Sequence, residues 1–284
     1  MLLGKKGMTA EQPIFVRIFK AESELEVWKQ GDDGHFRHFK TYPICHWSGA
    51  LGPKHRQGDK QSPEGFYRVH RHQMNPNSEF HLSFNLGFPN AYDQAHGRTG
   101  DFLMVHGKCR SAGCYAMTDA LMEEIYALAR EAFDGGQKVF EVHAFPFRMT
   151  EDNMARVQGD ANLRFWQSLK EGYDYFETAR TLPNVEVCGR RYHVNVEWNG
   201  GRLDPAGACP RFRKGPVIAF ASSPGMDGQW VRAPGPAVPP APQPAVRPPG
   251  AAIAGVRYTA PPPRMSLRST VVPQRDPIAD LLRK

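Results

Sequence analysis

The stretch Val105-His106-Gly107-Lys108-Cys109-Arg110-Ser111-Ala112-Gly113-Cys114-Tyr115 decides how this chain is read. Phe102-Leu103-Met104-Val105 ahead of it is an apolar, strand-forming run, so a strand carries His106 to the edge of a sheet. Seven residues separate His106 from Cys114, enough for the chain to turn back and set the thiol beside the imidazole. Gly107 and Gly113 admit backbone conformations that other residues resist. The thiolate is the reactive form of cysteine, and an adjacent histidine promotes it. Backbone N–H groups of Ser111, Gly113 and Cys114, turned toward one point, would form an oxyanion hole. The spacing therefore suits acyl transfer through a thioester. Other readings stay open at this level. Cys114 is a buried structural thiol, or is bonded to Cys109, or is left free by a Cys109–Cys45 pair. A zinc site of His106, Cys109 and Cys114 lacks an evident fourth ligand, so neither metal nor cofactor is expected.

Working outward, strands are expected at residues 13–20, at Leu25–Trp28 as a hairpin partner, and at Phe39–Ile44, Gly65–Val69, Phe80–Phe84 and Val139–His143. Residues 49–66 and 86–100 read as long loops. Thr118 caps a helix whose Leu121, Ile125, Leu128 and Ala132 share a face and which Gly135-Gly136 ends. A second helix runs from about Asp160 to Lys170, with Gly172 as its stop. The expected fold is a β-dominated α+β domain over 13–200, after an N-terminal extension 1–12. Residues 201–284 read as a basic, proline-rich tail, disordered, because a segment so crowded with prolines favours extended conformations and cannot bury a core.

The charge is as uneven as the composition. Of 284 residues, 36 are Lys or Arg and 29 Asp or Glu, but residues 201–284 take 12 of the bases and only 4 of the acids. The tail is at +8 and the first 200 residues at −1, which removes the general positive field that nucleic-acid binding by the folded part would need. No apolar run approaches the roughly 20 residues of a membrane span. Five cysteines leave at least one unpaired or bonded to another molecule. The N-terminus shows no stretch of signal-peptide length, which fits a mature form, a misplaced start or a cytosolic protein.

The Ser-x-Gly-Cys run at 111–114, preceded by His106-Gly107, resembles the signature of YkuD-type L,D-transpeptidases, and more closely their YafK-like branch. Supporting stretches are Leu25-Glu26-Val27-Trp28, Tyr42-Pro43-Ile44-Cys45, Leu51-Gly52-Pro53-Lys54, Gln61-Ser62-Pro63-Glu64-Gly65-Phe66-Tyr67, Gly87-Phe88-Pro89-Asn90 and Phe145-Pro146-Phe147-Arg148-Met149. Together they cover about residues 10–195 in the family's order. The resemblance implies a YkuD-like catalytic domain, a mixed β-sheet sandwich with a few helices. It implies Cys114 as nucleophile, His106 as base, and Ser111, Ala112 and Gly113 shaping the oxyanion site. The implied substrate is a peptidoglycan stem peptide containing meso-diaminopimelate, with an amine, water or an outer-membrane lipoprotein as acceptor or leaving group. The implied location is the periplasm or cell envelope. Ala112 stands where the broader family has His, and the Arg often found after the Cys is missing. Tyr42, Trp47, His81, Tyr92, Tyr115, His143 and Arg148 are candidates to line the cleft. Arg148 is the candidate for a substrate carboxylate, against a structural pairing with Glu64 or Asp93. His143 has a core reading beside the functional one, and Asp93 is a candidate third member behind His106. Two other functions compete: a non-catalytic wall-binding protein, and a cytosolic cysteine hydrolase acting on a different amide.

Overall fold

The structure, a computed structural model, describes residues 2–215. The expected tail from 216 onward lies outside the described residues. A short helix α1 (Leu2–Lys5) precedes the first hairpin. In that hairpin β1 (Ile14–Phe19) pairs antiparallel with β2 (Glu24–Gln30), Phe15 facing Trp28. Next come β3 (Phe36–Pro43), the two-residue β4 (His46–Trp47), β5 (Gly65–His70), β6 (Met74–Ser78) and β7 (His81–Asn85). Then follow α2 (Ala91–Ala95), β8 (Met104–His106), β9 (Tyr115–Ala116), α3 (Asp119–Asp134) and β10 (Val139–Phe145). The chain continues through α4 (Glu151–Arg156), α5 (Leu163–Ala179) and the strands β11 (Val185–Cys188), β12 (Arg191–Val194), β13 (Val196–Trp198) and β14 (Phe212–Lys214). One sheet has the order β3-β2-β1-β10-β5 and a second the order β4-β9-β8-β7-β6, each mixing parallel and antiparallel pairs. The α+β, β-dominated expectation holds.

Every residue of β1 is buried, so both of its faces are covered. Phe15, Arg17 and Phe19 meet Phe176 and Tyr173 of α5. The alternate residues Ile14, Val16 and Ile18 bury their side chains on the other face, where α3 packs. Fully burying a Phe of this kind contributes about 1.5–3 kcal/mol. α3 also packs against β7 and β8, so one amphipathic helix leans on both sheets. Its inward face is the expected Ile125, Leu128 and Ala132, with Leu121 only half-buried.

Three expectations change. The second helix does not stop at Gly172. It runs on to Ala179, and Gly172 sits in its middle because a Cβ there would lie 2.7 Å from the Phe66 ring. The loop at 86–100 contains α2, capped by Asn90, whose side chain accepts from the Asp93 N–H. Ordered structure also passes residue 200, since β14 pairs with β13 and Cys209 is bonded to Cys188.

Candidate active site

β8 and β9 run parallel, with Val105 opposite Tyr115 and His106 opposite Ala116. Side chains alternate along a strand, so His106 shares a face with Ala116. Cys114 is the residue before β9, one alternation from Ala116, and its sulfur lies against the start of β8: the Met104 N–H donates to Sγ at 3.4 Å. The thiol in turn donates to the Phe102 carbonyl at 3.5 Å. Phe102 was expected inside the strand. It stands just before it at φ 52°, with its side chain mostly exposed.

The His106 Nδ1 is 2.6 Å from the Gly107 carbonyl oxygen. A carbonyl only accepts, so Nδ1 carries the proton and Nε2 keeps its lone pair, the tautomer a general base requires. Nε2 has no protein partner among the described residues. Phe80 packs on the ring at 4.7 Å. Burial lowers the His106 imidazole below its usual range, and the Gly107 carbonyl only opposes this. Burial likewise raises the Cys114 thiol, with the Met104 N–H and the Lys54 ammonium pulling the other way without reversing it. The shifts favour a neutral thiol on Cys114 and a neutral imidazole on His106.

The loop between them is held in an unusual shape. Lys108 and Cys109 both have left-handed backbones, φ 62° and 45°. Such residues persist only where neighbours enforce them. Here Asp119, in the first turn of α3, accepts from the Lys108 N–H at 2.7 Å, and the Cys109 N–H donates to the Met117 carbonyl at 3.1 Å. Cys109 is bonded to Cys45 and Cys188 to Cys209, with Cα separations of 5.3 and 5.6 Å. Cys114 is therefore the single free thiol, and Cys109 is lost as a zinc ligand.

Two serines hold the Cys114 main chain and a third bonds to them. Its carbonyl accepts from Ser111 Oγ at 2.7 Å and from Ser62 Oγ at 3.0 Å. Ser111 Oγ also accepts from the Gly113 N–H at 3.1 Å and lies 3.2 Å from Ser48 Oγ. In this state the Gly113 N–H, expected in an oxyanion hole, is engaged by Ser111.

A family profile described as the L,D-transpeptidase catalytic domain, YkuD, matches residues 14–141. Over 184 residues the chain is 47% identical to the Escherichia coli K12 protein YafK, assigned by name to the L,D-transpeptidases. The overlap covers 64% of this chain and 74% of that one, and the O157:H7 protein gives the same figures. The chain belongs to the YkuD L,D-transpeptidase family. Looser similarities to this L,D-transpeptidase domain come from solved structures. The helical cell shape determining protein Pgp2 of Campylobacter jejuni is 22% identical at a TM-score of 0.39, over 61% of this chain and 64% of that one. Bd1075 of Bdellovibrio bacteriovorus is 18% identical at 0.33, over 59% and 60%.

The other residues singled out in this L,D-transpeptidase domain mostly serve its frame. Arg148 is committed to Glu24 at 2.5 Å and Glu26 at 2.8 Å, rather than to a ligand, Glu64 or Asp93. Asp93 does not back His106: its carboxylate binds Arg98 at 2.7 Å and the Tyr67 hydroxyl at 3.2 Å. His143 is fully buried, bonded to Glu141 at 2.9 Å between the Phe15 and Phe66 rings. Tyr42 donates to Glu124 at 2.9 Å, Tyr115 to the Pro63 carbonyl at 2.7 Å, and Tyr92 stacks on Tyr192 at 4.2 Å. His81 pairs with Glu123 and Trp47 donates to Ser23. His70 and His72 stack on each other, and no group of three potential metal ligands occurs among the described residues.

Sequence reasoning missed Lys20. It is fully buried and donates to Glu64 at 2.9 Å and to the carbonyls of Ala50, Gly52 and Ser62 at 2.8, 3.1 and 3.0 Å. Trp166 donates to the other Glu64 oxygen at 2.9 Å. This buried pair ties the Ser62 loop to the first sheet. A lysine ending a strand gives no hint of it.

Proposed function

We propose that the chain is a cysteine-dependent acyl transferase or hydrolase of peptidoglycan stem peptides. Membership of the L,D-transpeptidase family supports the substrate class. The observation that supports the chemistry is a free thiol, Cys114, one alternation from the residue paired with His106, a histidine whose Nδ1 proton is fixed on a carbonyl. The Cys114 thiol gives its proton to His106 Nε2 as the sulfur attacks the carbonyl on the L-centre of meso-diaminopimelate. The tetrahedral oxyanion collapses to a thioester, and the departing amine takes the proton back from the imidazolium. An incoming amine or a water then resolves the thioester, giving a crosslink, a lipoprotein anchor or hydrolysis. Water attacking at a lipoprotein-bearing residue would release that protein.

Two disulfides favour an oxidising compartment such as the periplasm. Among the described residues no helix is long and apolar enough to cross a membrane. The test is incubation with diaminopimelate-containing muropeptides, one set linked to a lipoprotein fragment, while intact protein mass is followed. A thioester on the native chain and none on Cys114→Ala is expected, and the released products separate crosslinking from hydrolysis. An accessible, reduced Cys114 that never acquires an adduct leaves a wall-binding protein instead.

A further inference from the structure

With Arg148 held by two glutamates, the fold needs another cation if the site is to hold a substrate carboxylate. The loop from Ser48 to Glu64 surrounds a cavity of about 370 Å³, within the size range of small-ligand sites. Two of its walls lead to Cys114. On one side Gln61 lines the cavity, its carbonyl 3.6 Å from where a Cβ on Gly113 would stand, and the next residue is Ser62, bonded to the Cys114 carbonyl. On the other side the His55 carbonyl accepts from the Thr99 N–H at 3.1 Å, and the Gln57 side chain accepts from the Asp101 N–H at 3.2 Å. Phe102 follows, and its carbonyl receives the thiol.

The cavity's polar groups divide sharply by occupation. Asp59 is saturated by Lys54 Nζ at 2.5 Å and by the N–H groups of His55, Arg56 and Gln61 at 2.9–3.0 Å. The Gln61 amide is bonded to Ala50 and Gly52. The Arg56 guanidinium, the His55 ring and the Asn162 amide have no protein partner among the described residues, and all line the cavity. Gly52 keeps the wall open there: at φ 118°, a Cβ would stand 2.8 Å from the Asn162 amide nitrogen. The one acid is neutralised by its own lysine. What remains free is a guanidinium fork with two further N–H donors, the complement of a carboxylate.

We propose that this cavity is the carboxylate subsite of the Cys114 centre, with Arg56 forking onto a free carboxylate of the bound stem peptide and Asn162 and His55 completing its hydrogen bonds. This rests on the reading of the chain as a stem-peptide enzyme. Two carboxylates share the required chemistry: the one on the far stereocentre of diaminopimelate and the one at the peptide's C-terminus.

Calorimetric titration of the Cys114→Ala chain with a diaminopimelate tetrapeptide, and with versions amidated at one carboxylate or the other, tells them apart. Amidation of the recognised carboxylate should weaken binding roughly ten- to a hundredfold, as expected for a bidentate charge-assisted contact. Adding Arg56→Gln should erase that preference, and Arg56→Lys should restore only part of it. The Arg56 side chain is exposed and unpartnered, so neither variant threatens the fold. Indifference to amidation at both positions, or a preference that survives Arg56→Gln, overturns the proposal. Mass measurement on the native chain separates the two readings. A thioester without carboxylate preference removes the cavity and keeps the enzyme. Arg56-dependent binding without any thioester keeps the cavity and removes the catalysis.

Discussion

Ser62 Oγ lies 3.0 Å from the Cys114 carbonyl oxygen, although the two are 52 positions apart in the chain. Ser111 Oγ reaches the same oxygen at 2.7 Å. The carbonyl of the candidate nucleophile therefore has two donors, and either alone keeps it in place. Ser62→Ala is expected to slow thioester formation only a few-fold. Ser111→Ala should cost more, roughly tenfold, because it also releases the Gly113 N–H. The double variant should fall well below the product of the two, since contacts sharing one acceptor do not act independently. Single-turnover acylation followed by intact mass reads all three rates. Strictly multiplicative losses would mean that the hydroxyls act separately.

The His106–Cys114 pair predicts its own pH dependence. Burial lowers the imidazole below its ordinary 6.5 and raises the thiol above its ordinary 9.0. The working form is neutral on both groups. Acylation rate should fall only as pH drops below 6.5, when His106 protonates and can no longer act as a base, and should show no alkaline limb before pH 9. A preformed thiolate–imidazolium pair would instead place a decline on the alkaline side near neutrality. His106→Ala should lower acylation by about 10²–10⁴-fold, the usual contribution of a positioned base.

Cys45–Cys109 closes a loop spanning 64 residues and fastens the strained turn that carries Cys114. The chain-entropy estimate for such a loop is about 4 kcal/mol. The paired variant Cys45→Ser with Cys109→Ser should unfold at markedly lower urea concentration. It should also lose acylation in conditions where it is still folded, because Lys108 and Cys109 would relax from their left-handed backbones. Full activity in the folded paired variant would assign the turn's shape to Asp119 and Met117 alone.

The candidate pair His106 and Cys114 is more legible in the sequence than the residues that hold it, and the reason is sequence distance. His106 ends β8 and Cys114, eight positions on, immediately precedes its neighbour β9, so a local run carries both. The first hairpin showed through its alternation for the same reason. Ser62 and Lys20 bond across tens of residues, Ser62 from a stretch whose glycines and prolines read simply as loop and Lys20 from the end of an ordinary-looking strand. Gly172 misled because a helix-stopping residue and one that admits a neighbouring ring look alike in sequence. The cysteine count showed that one thiol was odd, but pairing is a matter of space, and only the fold separates Cys109 from Cys114.

Arg148 leads to the last prediction. With Arg17 it encloses Glu26: Arg17 Nε and one terminal nitrogen lie 3.0 and 2.9 Å from a single Glu26 oxygen, which also accepts from Trp28 at 2.8 Å. Arg148 takes the other oxygen at 2.8 Å. Burial alone would raise this carboxyl. The two guanidinium groups outweigh it and bring it from its ordinary 4.5 to about 2. A carboxyl that is more acidic in the folded chain than in the unfolded one stabilises the fold above the unfolded value, and ceases to as pH falls through the folded value. The difference corresponds to about 3 kcal/mol, present at neutral pH and lost between about pH 4.5 and 2. Glu26→Gln should be less stable than the native chain at pH 7 by roughly that amount, and the two urea curves should converge toward pH 2. Curves that stay parallel across that window would locate the acid sensitivity elsewhere. Arg148→Gln should likewise lower stability while leaving tetrapeptide affinity unchanged, because its guanidinium holds Glu24 and Glu26 rather than substrate.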